Sequence, residues 1–156
     1  MDFYRAAKKA GVKPIIGCEL YVAPRTRFDK VYELDYEPWH LVLLCKNMTG
    51  YQNLIKLCSA GFTEGFYSKP RADIELLKEH SEGLVGLSAC ISGAIPKLIL
   101  EGRADEAADL ALEFENIFGK GNFYLEMQPS ANDEQECANK ELFNLSEITG
   151  VPYIIT

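Results

Sequence analysis

The sequence has no long apolar run. Its longest segment without a charged residue is the 14-residue stretch 83–96, which contains three glycines and a proline. That segment is too short and too interrupted to cross a bilayer. The N-terminal residues, MDFYRAAKKAG, are charged and helix-like, which excludes a secretory signal. We therefore expect a soluble, cytoplasmic protein that makes no membrane contact.

Several catalytic signatures are also absent. The chain has only two histidines, His40 and His80, and no GxSxG, P-loop or HExxH motif. No pair of cysteines has CxxC spacing, their number is odd, and several lie in apolar runs, which predicts reduced and mostly buried thiols rather than a disulfide framework. The five cysteines are Cys18, Cys45, Cys58, Cys90 and Cys137.

The composition is that of an ordinary globular chain. The 156 residues are 47% hydrophobic and 25% charged, enough for one domain or a large part of one. The net charge of −7 is unevenly distributed, with +4 in residues 1–30 and −9 in residues 101–150. An acidic half of this size repels phosphate backbones, so bulk charge does not predict nucleic-acid binding, and contacts with DNA would be local or made by other domains.

Short apolar runs alternate with helix-like segments along the chain. The predicted strands are residues 14–22, 41–45, 84–88, 122–127 and 152–155. This alternation predicts βα units in a mainly parallel sheet. Because the chain opens on a helix and closes on a bare strand, we expect a slice of a larger α/β domain. The lack of a glycine-rich strand–helix turn favours a barrel over a doubly wound sheet.

Three side chains are candidate metal ligands. Glu19 lies inside an apolar strand, His40 immediately precedes the next strand, and Cys90 follows the LVGLS strand, where functional residues of parallel folds collect. Each has a simpler interpretation: a solvent-facing glutamate, a packed structural histidine and a small buried thiol. Carboxylate, imidazole and thiolate together suit a partial metal shell, but their spread over 72 positions leaves that interpretation open.

Two further places are weaker candidates. Residues 66–71, FYSKPR, combine aromatic rings with Lys69 and Arg71. Either cation could contact phosphate, although an exposed loop anchored by its rings explains the pattern equally well. Glu126 stands near the end of a predicted strand and is a second acidic candidate.

The chain resembles the polymerase-and-histidinol-phosphatase (PHP) domain of bacterial DNA polymerase III alpha subunits. The resemblance rests on five segments in order: FYRAAKKAGVKPIIGCELYVAPRTRFDK, WHLVLLCKNMTGYQNLIKL, GFTEGFYSKPRAD, SEGLVGLSACISGAIPKLI and FGKGNFYLEMQ. Free-standing PHP phosphatases lack the HLVLLxKNxTGYxNL and FYxKPR segments, so the match points to the polymerase type.

The resemblance implies a distorted (β/α)7, TIM-like barrel. Residues 1–156 would be a partial PHP domain that lacks the first and last barrel strands. By motif match, Glu19, His40 and Cys90 fall on three of the nine metal-ligand positions usual in the family, and the other six lie outside this chain. The implied ion is zinc or manganese. Arg71 is implied as a phosphate contact.

A metal site shared by His40 and Cys90 depends on the directions of the strands beside them. If every strand were parallel, Cys90 would follow the carboxyl end of one strand and His40 would precede the amino end of another, at opposite edges. Either the polar loop 25–39 brings His40 back to the same edge, or the strand that follows His40 is not parallel to its neighbours.

The chain departs from the family at three places. Ala94 replaces the glutamate of the usual GEIP segment, which removes a carboxylate. Residues 128–130, Gln-Pro-Ser, stand where many relatives have Gln-Asp-His. By comparison with the family, Met1 would fall within the PHP domain and not at its beginning. Retention of Glu19, His40 and Cys90 favours the metal-binding type of PHP domain.

The implied parent is a DNA-directed DNA polymerase, a nucleotidyltransferase whose magnesium site lies outside this chain. Its intact PHP domain would be a metal-dependent 3′–5′ proofreading exonuclease. The alternatives are a metal-free scaffold that docks a separate proofreading subunit, and a free-standing PHP phosphoesterase. The implied partners are DNA, the sliding clamp, the clamp loader and the proofreading subunit. The isolated fragment is expected to be inactive and to self-associate through exposed sheet edges.

Overall fold

A computed structural model describes residues 2–130 and 132–156 of the chain as a mixed α/β fold. The helices of this part are α1 (Asp2–Lys9), α2 (Tyr32–Asp35), α3 (Met48–Thr63), α4 (Ile74–His80), α5 (Ala94–Leu100), α6 (Ala104–Phe118) and α7 (Asp133–Thr149). The strands are β1 (Gly17–Val22), β2 (Trp39–Cys45), β3 (Arg71–Ala72), β4 (Leu84–Leu87), β5 (Phe123–Met127) and β6 (Tyr153–Ile155). All five predicted strands are present, and the two-residue β3 is additional.

The strands form one sheet in the order β3-β1-β2-β4-β5-β6. Strand β2 is antiparallel to both of its neighbours, whereas the pairs β1–β3, β4–β5 and β5–β6 are parallel. The prediction of a mainly parallel sheet is therefore wrong for β2. Within the described residues the sheet is open, with β3 and β6 at its edges, so the predicted barrel is not seen as a closed ring.

The antiparallel direction of β2 determines at which edge of the sheet His40 lies relative to Cys90. An antiparallel neighbour starts at the edge where the preceding strand ends. The amino end of β2 therefore lies at the same edge as the carboxyl ends of β1 and β4. His40, near the start of β2, and Cys90, just after β4, consequently lie at the same edge of the sheet.

One face of the sheet is covered by helices. On β2, Leu41 and Leu43 point to this face and are buried, while Val42 and Leu44 on the other face stay half-exposed. Phe123 of β5 packs against Phe114 of α6, with ring centroids 5.1 Å apart. Strand alternation places Glu19 and His40 with Val42 on the uncovered face. The fold therefore leaves the candidate ligands accessible.

Polar caps and glycines fix the helix ends. The side chain of Asn47 accepts a hydrogen bond from the Gly50 amide, so Asn47 caps α3. Asn132 caps α7, and Gly150 ends it in the left-handed region at φ 77°. A left-handed residue after a helix favours glycine because it has no Cβ. Among residues 2–130 and 132–156, no helix combines the length and hydropathy needed to cross a bilayer.

The five cysteines are free thiols, four of them half-buried and Cys137 exposed. The prediction of mostly buried thiols is therefore only partly correct. Cys18, Cys45 and Cys58 pack against the core where α3 covers the sheet. Burial, together with the neighbouring Cys18 and Cys45, raises the pKa of the Cys58 thiol to about 11, which keeps it protonated at neutral pH.

Candidate metal centre

The register of β1 and β2 brings Glu19 to His40. Tyr21 lies opposite His40 and Glu19 lies opposite Val42, so the two candidate ligands are diagonal neighbours on one face. Glu19 Oε1 is 3.2 Å from His40 Nδ1. The His40 amide donates to the Ser92 carbonyl at 3.0 Å, which ties the start of β2 to the loop after β4.

The loop after β4 presents Cys90. Ala89 has φ 62°, a left-handed conformation that is costly for a residue with a Cβ. The Ser88 hydroxyl accepts from the Glu126 amide at 2.8 Å, and the Gly93 amide donates to the Cys90 carbonyl at 2.8 Å. A Cβ at Gly93 would collide with the Ser88 carbonyl oxygen. This tightly held loop places Cys90 Sγ 3.8 Å from His40 Nδ1.

The structure therefore brings the side chains of Glu19 and Cys90 to the same ring nitrogen of His40, so the three predicted metal ligands are neighbours. The side chain of His40 is 22% exposed and that of Glu19 is 49% exposed, so an ion could reach them from solvent. A carboxylate oxygen, an imidazole nitrogen and a thiol sulfur are ligand types that zinc accepts. Within the described residues, no group of three or more His, Cys, Asp or Glu side chains is placed so that it could hold a metal ion, so the three side chains do not form a site by themselves. The donor set fits a metal ion as part of a shell.

A cleft of about 500 Å³ opens beside His40. The ring of Tyr21 meets His40 edge-to-face, with centroids 5.2 Å apart, and the Lys69 ammonium nitrogen lies 4.3 Å from the centroid of the same ring. Residues lining the cleft come from the β1–β2 loop, the start of β2, the FYSKPR segment, the Cys90 loop and α5: Tyr36, Glu37, Trp39, Ser68, Lys69, Ile91, Ser92 and Lys97. Of the three candidate ligands, His40 lines this cleft.

The structure leaves Arg71 no exposed surface with which to contact a phosphate. Arg71 is fully buried, and its guanidinium donates to the backbone carbonyls of Gly65, Asp35, Arg27 and Asp29 at 2.8–3.3 Å. Burial lowers the pKa of Arg71 by penalising its charge. With its donors occupied by carbonyls and no exposed surface, Arg71 holds the 25–35 loop to the FYSKPR segment and is closed to a ligand.

Sequence reasoning missed the acid that completes this buried cluster. Asp35 is fully buried and accepts two hydrogen bonds from Arg25, at 2.9 and 2.6 Å. Hydrogen bonding from Arg25 lowers the pKa of Asp35. The local sequence YELD does not distinguish Asp35 from Glu33, because Asp35 is buried in contact with the distant Arg71, which donates to its carbonyl.

Glu126 is not brought to the three candidate ligands by any contact. Its side chain is 5% exposed, and Oε1 accepts from Gln128 Nε2 at 3.0 Å and from Thr156 Oγ1 at 2.8 Å. Its other oxygen, Oε2, is buried with no hydrogen-bond partner among the described residues. Glu126 is therefore an interior carboxyl of β5.

Comparison with known proteins places the chain in a family. The PHP domain family matches residues 1–130. The chain belongs to the PHP domain family. Relatives named DNA polymerase III subunit alpha include those of Treponema pallidum (strain Nichols), 42% identical over all of this chain, and Borreliella burgdorferi, 47% identical over 97% of it. The subunit of the same name from Thermus aquaticus is 44% identical over the whole chain. This PHP chain spans 13% of the length of each of these relatives.

Proposed function

We propose that this PHP chain is part of the catalytic alpha subunit of a bacterial replicative DNA polymerase III. The support is the identity of 42–47% to three subunits of that name along essentially the whole chain. DNA synthesis would occur at a magnesium-dependent site outside this chain. The parent would act in the cytoplasm on DNA, with the sliding clamp, the clamp loader and a proofreading subunit.

In the intact domain, Glu19, His40 and Cys90 would bind one divalent ion, zinc or manganese. The observation that carries this proposal is the approach of both Glu19 Oε1 and Cys90 Sγ to His40 Nδ1, at 3.2 and 3.8 Å. What the ion supplies, when bound, is an activated water and neutralisation of charge on the leaving oxygen. The roles of the three side chains are to bind and to orient, which suits a 3′–5′ exonuclease acting on phosphodiesters.

The remaining ligands would come from polypeptide outside residues 1–156. Strands supplied by that polypeptide would pair with the open edges of the sheet and close it into a barrel. The family match ends at residue 130, yet α7 and β6 belong to the same domain in this proposal, because Leu142 and Val151 are buried in the common core. A partial shell binds metal weakly, so the isolated chain would not catalyse hydrolysis.

A metal-free scaffold that docks a separate proofreading subunit is the competing function. One observation favours it, namely that the described residues contain no group of three or more His, Cys, Asp or Glu side chains that could hold a metal ion. A free-standing phosphoesterase has less support, because the relatives matched over this whole chain are about eight times longer than it.

An exonuclease assay on the full-length polypeptide tests the proposed function. We expect metal-dependent removal of a mismatched 3′ nucleotide that EDTA abolishes and that zinc or manganese restores. Cys90→Ala is expected to lower the rate about tenfold or more, because loss of a ligand weakens metal binding at least as much as loss of a supporting partner. Cys137→Ala, on the exposed surface of α7, is the matched control and should have no effect.

Two results of this assay would contradict the exonuclease proposal. One is a metal-free, polymerase-active protein that has no exonuclease activity, which would favour the scaffold. The other is exonuclease activity that survives Cys90→Ala unchanged while the polymerase rate confirms equal amounts of active protein.

We also expect residues 1–156, expressed alone, to self-associate. The last strand, β6, is a sheet edge whose Ile154 and Ile155 are 38% and 62% exposed. An unpaired apolar edge is a template for pairing with another chain. Ile155→Lys should shift the population toward monomer in size-exclusion chromatography with light scattering. Ile148→Lys removes an exposed isoleucine of α7 away from the edge and should leave association unchanged. A monomeric parent fragment at all concentrations would refute this expectation.

A further inference from the structure

The FYSKPR segment holds Lys69 in a fixed turn. The Lys69 amide donates to the Tyr67 carbonyl at 2.6 Å, and the Tyr67 amide donates to the Lys69 carbonyl at 3.0 Å. Ser68 between them has φ 60°, a conformation that a non-glycine residue adopts only under constraint. The buried guanidinium of Arg71 lies 5.2 Å from the centroid of the Tyr67 ring and packs against this turn.

The side chain of Lys69 is positioned over Tyr21. Its ammonium nitrogen is 4.3 Å from the ring centroid and 3.2 Å from the Tyr21 hydroxyl oxygen, to which it donates. A cation over a tyrosine ring is favourable and limits the rotamers of the lysine. The same ring contacts His40 edge-to-face. Lys69 is therefore one aromatic ring away from the candidate metal centre.

Lys69 differs from the other lysine that lines the cleft. Lys97 is neutralised by Glu37, with Nζ and Oε2 3.1 Å apart. No carboxylate of the described residues forms such an ion pair with Lys69. A pre-positioned ammonium without a protein counter-ion is suited to an anion from solution, and a lysine binds phosphate as a point charge.

The surroundings of Lys69 match a nucleotide. The hydroxyl-bearing residues Ser68 and Ser92 line the cleft, as does the aromatic residue Tyr36, which is 46% exposed. Glu134 also lines it, which leaves the cleft mixed in charge rather than uniformly basic. Its volume of about 500 Å³ is within the range of small-ligand sites. Aromatic faces accept any base by stacking, so the combination suits a nucleoside phosphate without sequence preference.

We propose that Lys69 binds a phosphate of the 3′-terminal nucleotide of single-stranded DNA and positions it beside His40. The proposal rests on the proposed exonuclease function and adds the residue that binds its substrate. It transfers to Lys69 the phosphate contact that the sequence assigned to Arg71. In this account Arg71 supports the turn and Lys69 contacts the ligand.

Binding of thymidine 5′-monophosphate to the full-length polypeptide in EDTA tests this proposal. EDTA removes the magnesium through which a polymerase site binds nucleotide phosphates, which isolates the contribution of Lys69. We expect Lys69→Met to weaken binding about tenfold, the loss of one charge-assisted contact, and Lys69→Arg to restore it to within about threefold. Lys56→Met removes an exposed lysine of α3 and should match the parent protein.

The proposal is overturned if the parent protein does not bind the nucleotide, or if Lys69→Met binds it as tightly as the parent. The exonuclease assay separates this failure from that of the proposed function. Raised KM with little change in kcat in Lys69→Met, rescued by Lys69→Arg, supports the proposal, because loss of folded protein would instead lower the apparent kcat and leave KM unchanged. If Lys69→Met retains exonuclease activity with an unchanged KM, the phosphate contact of Lys69 is refuted and the proposed exonuclease function is not. If nucleotide binding depends on Lys69 but the protein has no exonuclease activity, the proposed exonuclease function is refuted and the phosphate contact of Lys69 is retained.

Discussion

Replacing Arg71 by methionine is expected to lower the free energy of unfolding by about 3–5 kcal/mol, the cost of removing one partner from a buried charged network. The guanidinium is fully buried and bonds to four backbone carbonyls, which the variant would leave without donors. Lysine should not rescue stability, since a single ammonium cannot match the planar fork of arginine. The loop that carries Arg25, Arg27 and Asp35 would lose its anchor.

Urea denaturation of residues 1–156, followed by far-ultraviolet circular dichroism, measures this effect. Arg5→Met is the matched control, because the Arg5 side chain is 78% exposed and its substitution should change stability by less than about 0.5 kcal/mol. A loss of less than about 1 kcal/mol for Arg71→Met would contradict the structural role and reopen the question of a ligand contact.

Replacing His40 by alanine is expected to weaken zinc binding to the full-length polypeptide by about 100-fold or more, beyond the loss typical of a supporting residue. His40 is the one ligand that faces both of the others, with Glu19 Oε1 at 3.2 Å and Cys90 Sγ at 3.8 Å from Nδ1. Its removal therefore costs a ligand and also separates the remaining two.

Competition with a chromogenic chelator gives the zinc affinity. His80→Ala is the control, since His80 is the only other histidine and lies at the end of α4, away from the cleft. Equal zinc affinity in the parent protein and His40→Ala would exclude His40 as a ligand. An equal loss in His80→Ala would show that the effect is not specific to this site.

The strands and the candidate ligands could be predicted because their signals are local. Apolar runs such as LVLLC mark strands, and motif resemblance selected Glu19, His40 and Cys90 before any geometry was known. The direction of β2 could not be read in this way. The loop 25–39 has no periodicity, and whether it returns the chain beside β1 or crosses to another strand depends on tertiary packing.

Charged residues in loops were the hardest to place. A sequence pattern treats Lys69 and Arg71 alike, yet the structure buries one and leaves the other exposed over Tyr21. The difference arises from Asp35 and the carbonyls of a loop more than 30 residues away in the chain. Long-range burial of a charge leaves no local signature, and the two-residue strand β3 is too short to produce one.

The central claim is that Glu19, His40 and Cys90 share one metal ion in the intact protein. X-ray absorption at the zinc edge of the zinc-loaded, full-length polypeptide tests it most directly, because sulfur is distinguished there from nitrogen and oxygen ligands. We expect one sulfur ligand, which disappears in Cys90→Ser and persists in Cys137→Ser. A zinc spectrum with no sulfur ligand, or a sulfur signal that Cys90→Ser leaves intact, would contradict it.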